Sequence, residues 1–228
     1  DQPAPSAMHP PSPRKRSGSA PWPDGAVDPA SGAIQLPPHP SEDPRQCHGN
    51  AGPTNEHIDP VRFITNKSSG KQGYEIAKSL SKKGFDTTLI SGPTNLEINN
   101  DINLIKVETA EEMFQATLNS LPADVAVFSA AVGDYKVKKT SKEKIKKVDN
   151  LNLELEKNVD ILNYISNHNS LRPKLVIGFA AETNDLEKYA NEKLNEKNCD
   201  WIIANDVSNK KIGFESDFNE VSIFYKNK

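Results

Sequence analysis

The sequence is poor in the residues that build disulfide frameworks, thiolate metal centres and membrane spans. Only two cysteines, Cys47 and Cys199, occur among 228 residues, and they lie far apart in unlike contexts. The five histidines lack the spacing of metal ligands, so any metal would be held by oxygen atoms. No apolar run approaches the roughly 18 residues of a membrane span, and no hydrophobic signal core opens the chain. A net charge of -3 gives no reason to expect a nucleic-acid partner. We expect a soluble, cytoplasmic protein.

Proline dominates the first 46 residues, which hold twelve of the 17 prolines. Such a segment cannot bury enough apolar surface to offset its ordering entropy. We therefore predict a disordered tail. The cluster Arg14-Lys15-Arg16 within it is either a targeting or nucleic-acid patch or a solvated charge run, and the second is far more common in tails.

The stretch that organises the rest of the chain is a small-residue loop, 66–70, followed by an amphipathic helix. Apolar residues recur at 3.6-residue spacing over about 71–83, and Gly84 is a typical helix stop. A loop of this kind at a helix N-terminus suits an anion such as phosphate, although neither a Gly-x-Gly-x-x-Gly nor a P-loop pattern is present. The alternative is a turn glycine with an N-cap serine. The residues of this candidate phosphate loop are Ser68, Ser69, Gly70 and Gly73.

Strands alternate with helices after this loop. Two apolar runs, 124–131 and 175–181, have the pattern of strands buried on both faces of a parallel sheet. Thr109 and Glu112 have capping-box spacing at the start of a helix. The pattern predicts an α/β fold with a doubly wound, mostly parallel, Rossmann-like sheet. Further strands are predicted at 87–90, 104–107, 151–155, 201–204 and 221–225, and further helices follow residues 109 and 185. Asn158 is the predicted cap of another helix. Residues 51–63 are predicted to form a turn-rich loop.

A polar insertion interrupts this alternation between residues 133 and 150. It carries seven lysines between Lys136 and Lys147 and has no periodic apolar face. Long insertions of this kind in a compact domain are usually functional or disordered. We predict a lysine-rich flap, while a solvated surface loop is the alternative.

Seven ordered blocks together resemble one enzyme family, the bacterial CTP-dependent phosphopantothenoylcysteine synthetases. In many bacteria that enzyme forms the C-terminal half of a fusion with a flavin-dependent decarboxylase. The resemblance covers about residues 51–228. The blocks are AGPTNEHIDPVR (51–62), ITNKSSGKQG (64–73), SAAVGDY (129–135), EKIKK (143–147), KNVDIL (157–162), GFAAET (178–183) and ANDV (204–207).

The resemblance implies a ligase of coenzyme A biosynthesis. The family uses CTP and Mg²⁺ to turn the carboxylate of 4′-phosphopantothenate into an acyl-cytidylate, and the amine of L-cysteine then displaces CMP. By the family pattern, Lys144 supports the first step and Asn66 the second. The family also forms homodimers in which the neighbouring subunit helps to build the pantothenate site, so a homodimer is expected.

The same resemblance implies the remaining site residues. Arg62 would clamp a phosphate or carboxylate, although from its sequence context alone a structural salt bridge is equally expected. Lys193 and Lys197 share one helix stripe and would reach the nucleotide, or else form a solvated face. Asp134 would sit beside the Mg²⁺. The residues implied to line the CTP site are Phe128, Ser129, Ala130, Asp134, Lys144, Val159, Asp160, Ile161, Leu162, Phe179, Lys193 and Lys197. The residues implied to bind the pantothenate substrate are Arg62, Asn66, Ala130 and Ala131.

The chain departs from the family pattern just before residue 51, where the family has a central apolar strand. Residues 44–50 carry Gln46, Cys47, His48 and Gly49, which offer no buried strand face. We therefore predict that residues 1–50 form a disordered or foreign tail that lies outside the sheet or pairs poorly with it. The domain would span 51–228, truncated at both ends, with marginal stability.

Two further interpretations remain open. One is an inactive truncated fragment of this enzyme that keeps ligand-binding motifs. The other is a nicotinamide-dependent Rossmann oxidoreductase, against which stand the missing Gly-x-Gly-x-x-Gly and the missing acidic residue about 20 positions after it. Binding of CTP rather than NAD(P) would separate the leading hypothesis from the oxidoreductase.

Overall fold

Short strands and amphipathic helices alternate along residues 44–208 and 220–226, the part of the chain that the computed structural model describes. The strands are Gln46–Ala51 (β1), Asn55–His57 (β2), Phe63–Thr65 (β3), Asp86–Ser91 (β4), Asn103–Lys106 (β5), Val125–Phe128 (β6), Tyr135–Val137 (β7), Leu155–Lys157 (β8), Leu175–Glu182 (β9), Trp201–Asp206 (β10) and Ser222–Tyr225 (β11). The helices are Lys71–Lys82 (α1), Ala110–Asn119 (α2), Ile161–Ser166 (α3) and Leu186–Glu196 (α4).

Seven of these strands form one sheet in the order β11-β10-β9-β6-β1-β4-β5. All neighbours are parallel except β10 and β11. From β1 the chain first adds β4 and β5 on one side and then returns to add β6, β9 and β10 on the other, which is the doubly wound arrangement. The predicted α/β fold is confirmed. In such sheets ligands bind at the carboxyl ends of the two strands where the direction reverses, and here these strands are β1 and β6.

Helix ends follow the signals in the sequence. The helix α1 ends at its C-cap, Lys83, and Gly84 adopts a left-handed φ of 83°, as the predicted stop requires. Thr109 and Glu112 form the predicted capping box at α2. At α3 the predicted cap, Asn158, is wrong. Asp160 caps this helix instead, because its carboxylate accepts the backbone N–H of Asn163 at 2.8 Å.

Helices cover both faces of the sheet. Adjacent residues of a strand point to opposite faces, and Leu89 and Ile90 of β4 accordingly belong to different apolar clusters. The Leu89 cluster includes Tyr74 and Ala77 of α1. The Ile90 cluster takes in apolar residues of α2, α3 and α4. Apolar surface buried on both faces is the main contribution to the stability of such a layered domain.

The strand β1 overturns the prediction for residues 44–50. It lies at the centre of the sheet, with β4 on one side and β6 on the other, and Cys47, His48, Asn50 and Ala51 are buried. The prediction rested on the polarity of the side chains. The backbone N–H and C=O groups of β1, however, pair with two strands that are distant in the sequence, and this pairing does not depend on side-chain type. The expected domain boundary after residue 50 thus falls inside β1, and the missing central strand from which marginal stability was expected is present. The first 43 residues lie outside the described part of the chain.

Two small antiparallel ribbons project between the main strands and helices. Residues 51–63, expected to form a turn-rich loop, include β2, which pairs with β3. The lysine-rich insertion contains β7, which pairs with β8. The predicted strand at 151–155 is therefore shorter and later than expected, beginning only at Leu155. We call these the first ribbon (β2–β3) and the second ribbon (β7–β8).

The longest helix in the described ranges, α1, has 12 residues, and no helix there is long and apolar enough to cross a membrane.

Candidate active site

A cleft of about 1210 Å³ opens at the carboxyl ends of β1 and β6, where the winding direction of the sheet reverses. Five parts of the chain line it: the start of α1, the segment after β6, the segment from β8 into α3, the middle of β9 and the last turn of α4. Together with Asn205 at the end of β10, these parts contain residues from five of the seven motif blocks. The fold thus brings together motifs that are separated by more than 100 residues in the sequence.

Hydrogen bonds fix the segment after β6 against the end of β1. The side-chain oxygen of Asn50 accepts the backbone N–H of Ala130 at 3.1 Å, and Ser129 Oγ donates to the Asn50 carbonyl at 2.6 Å. One residue further on, the Ala131 N–H donates to the Gly52 carbonyl at 2.9 Å. Because Asn50 is buried, these bonds hold the cleft floor in one arrangement.

The start of α1 forms one wall of the cleft. Gly70 has a left-handed φ of 75°, which glycine adopts without strain. A Cβ at Gly73 would lie 2.5 Å from Ala51 Cβ and 2.6 Å from Ser129 Oγ, so only glycine lets the helix approach the sheet this closely. The partial positive charge of a helix N-terminus then faces the cleft, where it favours an anion.

Hydrogen-bonded polar residues form the cleft wall between β6 and α3. Asn158 donates through its amide to the Gly133 carbonyl at 2.8 Å and through its backbone N–H to the Asp134 carbonyl at 2.9 Å. On the other side of Gly133, its N–H donates to Thr54 Oγ1 at 2.9 Å. The Asp134 backbone is thereby held while its side chain lines the cleft.

Charges of both signs surround the cleft. Lys197 Nζ lies 2.9 Å from carboxylate oxygens of both Asp160 and Glu196. Burial opposes the charge of Lys197, but its hydrogen bonds and Coulomb attraction to Asp160 and Glu196 raise its pKa above the ordinary lysine value. The ammonium is therefore retained at neutral pH. The lysines on the lining are Lys71, Lys157, Lys193 and Lys197, and the acidic residues are Glu75, Asp134, Asp160 and Glu196.

Most of the predicted site residues lie together on the lining of this cleft. They are Ser68, Ser69, Gly70, Gly73, Phe128, Ser129, Ala130, Ala131, Asp134, Val159, Asp160, Ile161, Leu162, Phe179, Lys193 and Lys197. Three predicted residues, Arg62, Asn66 and Lys144, are not on the lining.

These three residues occupy two neighbouring places. Asn66 is hydrogen-bonded to two residues of the cleft lining. Its amide nitrogen donates to the carbonyls of Val132 at 3.1 Å and Ala131 at 3.4 Å. Arg62 lies on the turn before β3, where it pairs with Asp59 and donates to the carbonyl of Ile145, the residue next to Lys144. The structural salt bridge considered for Arg62 is therefore present.

Metal binding and thiol chemistry place different requirements on the described side chains. Residues 44–208 and 220–226 contain no group of three or more His, Cys, Asp or Glu side chains that could hold a metal ion. Burial raises the pKa of Cys47 to about 12 and that of Cys199 to about 11, so both stay thiols at neutral pH and are poor nucleophiles. Mg²⁺ that is bound together with a nucleotide is commonly held by one carboxylate and by phosphate oxygens. The carboxylate of Asp134 fits this kind of site.

Several residues of the site were missed in the sequence. Asn50 was missed because β1 was not recognised, although a polar residue at the end of a parallel strand is a usable signal. Lys157 and Asn158 belong to the KNVDIL block (157–162), in which the resemblance implied only the last four residues. Lys71 was assigned only to the helix, yet it lines the cleft.

Comparison with known protein families identifies the family of this chain. The model of the DNA/pantothenate metabolism flavoprotein C-terminal domain matches residues 48–228. The chain belongs to this family. The resemblance noted in the sequence motifs is confirmed, and the match begins within β1.

Curated relatives in this family are longer than the chain. The coenzyme A biosynthesis bifunctional protein CoaBC of Haemophilus influenzae is 45% identical over 179 residues, covering 78% of this chain and 44% of the relative. The protein of the same name from Bacillus subtilis is 44% identical over 179 residues, covering 77% of this chain and 44% of the relative. The chain therefore aligns with less than half the length of these relatives.

A solved structure supports the family fold. The crystal structure of the C-terminal domain of a coenzyme A biosynthesis bifunctional protein CoaBC is 38% identical, with a TM-score of 0.67, and the match covers 81% of this chain and 83% of that one.

Proposed function

We propose that this domain is a phosphopantothenate–cysteine ligase of coenzyme A biosynthesis. The observation that carries the proposal is the convergence of five family motif blocks on one cleft at the β1/β6 switch point. The family relatives named as coenzyme A biosynthesis proteins support it. The substrates would be CTP, 4′-phosphopantothenate and L-cysteine, and the reaction would take place in the cytoplasm.

The reaction would proceed in two steps. A carboxylate oxygen of phosphopantothenate attacks the α-phosphorus of CTP, the bond to the β-phosphate breaks, and pyrophosphate leaves. The cysteine amine then attacks the carbonyl carbon of the acyl-cytidylate, the carbon–oxygen bond breaks, CMP leaves, and the nitrogen loses a proton. Both steps depend on positioning and on offsetting negative charge rather than on a protein nucleophile.

The cleft residues suit these tasks. The start of α1 and its loop would receive phosphate oxygens, and Lys193 and Lys197 would add positive charge from α4. When bound, Mg²⁺ would neutralise phosphate charge, with Asp134 as its protein ligand. Asn66 would orient the acyl end of the substrate beside Ala130 and Ala131. We also assign the lysine-rich segment between the ribbon strands β7 and β8 the role of a flap that brings Lys144 to the transferring phosphoryl group.

The test separates the two steps. The protein should release pyrophosphate from CTP and Mg²⁺ when phosphopantothenate is present without cysteine, and CMP only after cysteine is added. Lys144→Gln should slow pyrophosphate release about 100-fold or more, because a neutral amide does not offset developing charge. Asn66→Asp should keep the pyrophosphate burst but slow CMP release, because its added carboxylate opposes the acyl phosphate.

Two controls accompany this test: a variant of a neighbouring lysine and a comparison of nucleotides. Lys142→Gln removes a neighbouring lysine of the same segment and should leave pyrophosphate release unchanged. CTP should raise the melting temperature while NADP should not, which separates the ligase from the oxidoreductase. A wild-type protein that binds CTP but releases no pyrophosphate would support the inactive-fragment alternative and overturn the proposal.

A further inference from the structure

The lysine-rich segment is docked onto the turn of the first ribbon. Thr140 Oγ1 donates to the carbonyl of His57 at 3.2 Å, and the Ser141 N–H donates to the carbonyl of Ile58 at 3.0 Å. These partners lie more than 80 residues apart in the chain. The segment is therefore attached at defined points although it has no periodic apolar face.

A buried carboxylate lies at the centre of this contact. Asp59 is fully buried. One of its oxygens accepts the backbone N–H groups of Val61 at 2.8 Å and Arg62 at 2.9 Å, which closes the turn. Its other oxygen accepts the backbone N–H of Ile145 at 3.1 Å. The three backbone bonds and the Arg62 guanidinium, at 3.5 Å, outweigh the effect of burial and hold the pKa of Asp59 below its ordinary value.

Both backbone groups of Ile145 are held by this turn. Its N–H binds Asp59, and its carbonyl accepts from Arg62 Nη2 at 3.0 Å. The N–H of Ile145 belongs to the same planar peptide unit as the carbonyl of Lys144. Asp59 therefore fixes the orientation of the peptide that carries Lys144, whose own side chain is exposed.

We propose that Asp59, with Arg62, is a positioning residue that acts through Ile145 to set the direction in which Lys144 extends. The inference rests on the proposed role of Lys144. The hydrogen-bond and ion-pair partners of Asp59, which are Val61, Arg62 and Ile145, are not on the cleft lining, so its removal should alter the step that needs Lys144 without altering nucleotide binding. In this arrangement Arg62 anchors the peptide that carries Lys144.

The test combines two readouts on Asp59→Asn, which keeps the shape of the side chain and removes its charge. Hydrogen–deuterium exchange of a peptide covering residues 141–147 should speed up about tenfold or more, since Ile145 loses its charged acceptor. The rate constant for pyrophosphate release should fall about tenfold, while the Kd for CTP stays within about twofold. Asp149→Asn, an exposed acid of the same segment, should change neither.

A second variant protects the test from a folding defect. Ile145→Pro removes the N–H that Asp59 accepts and leaves the turn contacts of Asp59 in place, and it should reproduce both effects. Unchanged exchange at 141–147 in both variants would overturn the inference. So would faster exchange in β4 by the same factor, because that indicates global destabilisation. If the wild type releases no pyrophosphate, the ligase proposal fails, while the exchange readout still decides whether Asp59 holds the segment.

Discussion

His48 lies in the middle of the central strand with 1% of its surface exposed. Its ring packs against Phe128, with centroids 6.0 Å apart, and neither ring nitrogen has a hydrogen-bond partner within the described residues. Burial lowers the pKa of His48 to about 4, so the folded protein holds a neutral imidazole. Leaving buried polar atoms unpaired costs about 1–3 kcal/mol.

We expect His48→Leu to stabilise the protein and to change its pH dependence. Between pH 6.5 and 4 the unfolded chain binds a proton at His48 and the folded chain does not, so wild-type stability falls as the pH decreases through this window. With an unfolded pKa of 6.5, the loss from this residue is about 2 kcal/mol at pH 5. Urea unfolding at pH 7.5 and pH 5.0 measures it. Equal pH slopes for wild type and variant would contradict the prediction.

At the scale of elements, two glycines, one on α1 and one on β1, have different surroundings. A Cβ at Gly73 would meet Ala51 Cβ at 2.5 Å, whereas one at Gly49 would meet only Leu89 Cδ1 at 3.7 Å and the Val127 carbonyl at 3.8 Å. The first position has no space for a methyl group, and the second accepts it at ordinary van der Waals distance. The same chemical change should therefore have opposite effects on stability at the two positions.

We predict that Gly73→Ala destabilises the protein by about 1–3 kcal/mol, because α1 must move away from the sheet. The shift should also weaken CTP binding, since the start of α1 lines the cleft. Gly49→Ala, the matched control, should stabilise the protein by about 0.4–1 kcal/mol through lower entropy of the unfolded chain. Urea midpoints and CTP titrations of both variants provide the measurement. Destabilisation of similar size at both positions would show that packing between α1 and β1 does not distinguish them.

At the scale of the whole molecule, the two ribbons expose apolar side chains to solvent. Val61 and Phe63 on the first ribbon are 59% and 46% exposed, and Tyr135 and Leu155 on the second are 48% and 45% exposed. A contiguous exposed apolar patch commonly marks a protein interface. We propose that these side chains take part in the homodimer that the family resemblance implies.

We expect the protein to sediment at about twice the mass of one chain, because closed two-fold pairing is the commonest assembly. Phe63→Asp should shift it toward the monomer by placing a charge in the interface. Tyr164→Asp changes a similarly exposed aromatic residue, 44% exposed, on α3, and should leave the mass unchanged. A wild-type protein that is monomeric and fully active at micromolar concentration would contradict the prediction.

The sequence by itself determined the features that depend on neighbouring residues. Helical periodicity and Gly84 predicted α1 and its end, and the spacing of Thr109 and Glu112 predicted the start of α2, because helix caps are local hydrogen bonds. Continuous apolar runs predicted β6 and β9, since parallel strands are buried on both faces. The ordered motif blocks indicated the family and most of the cleft residues.

Only the tertiary structure decided the features that depend on residues far apart in the chain. The polar strand β1 takes the central position because β4 and β6 pair with its backbone on both sides, which no local pattern reports. Gly73 is required by its short distances to Ala51 of β1 and to Ser129, which follows β6. The bond from Ile145 to Asp59 joins residues 86 positions apart, and its geometry exists only once folding has brought the two segments together.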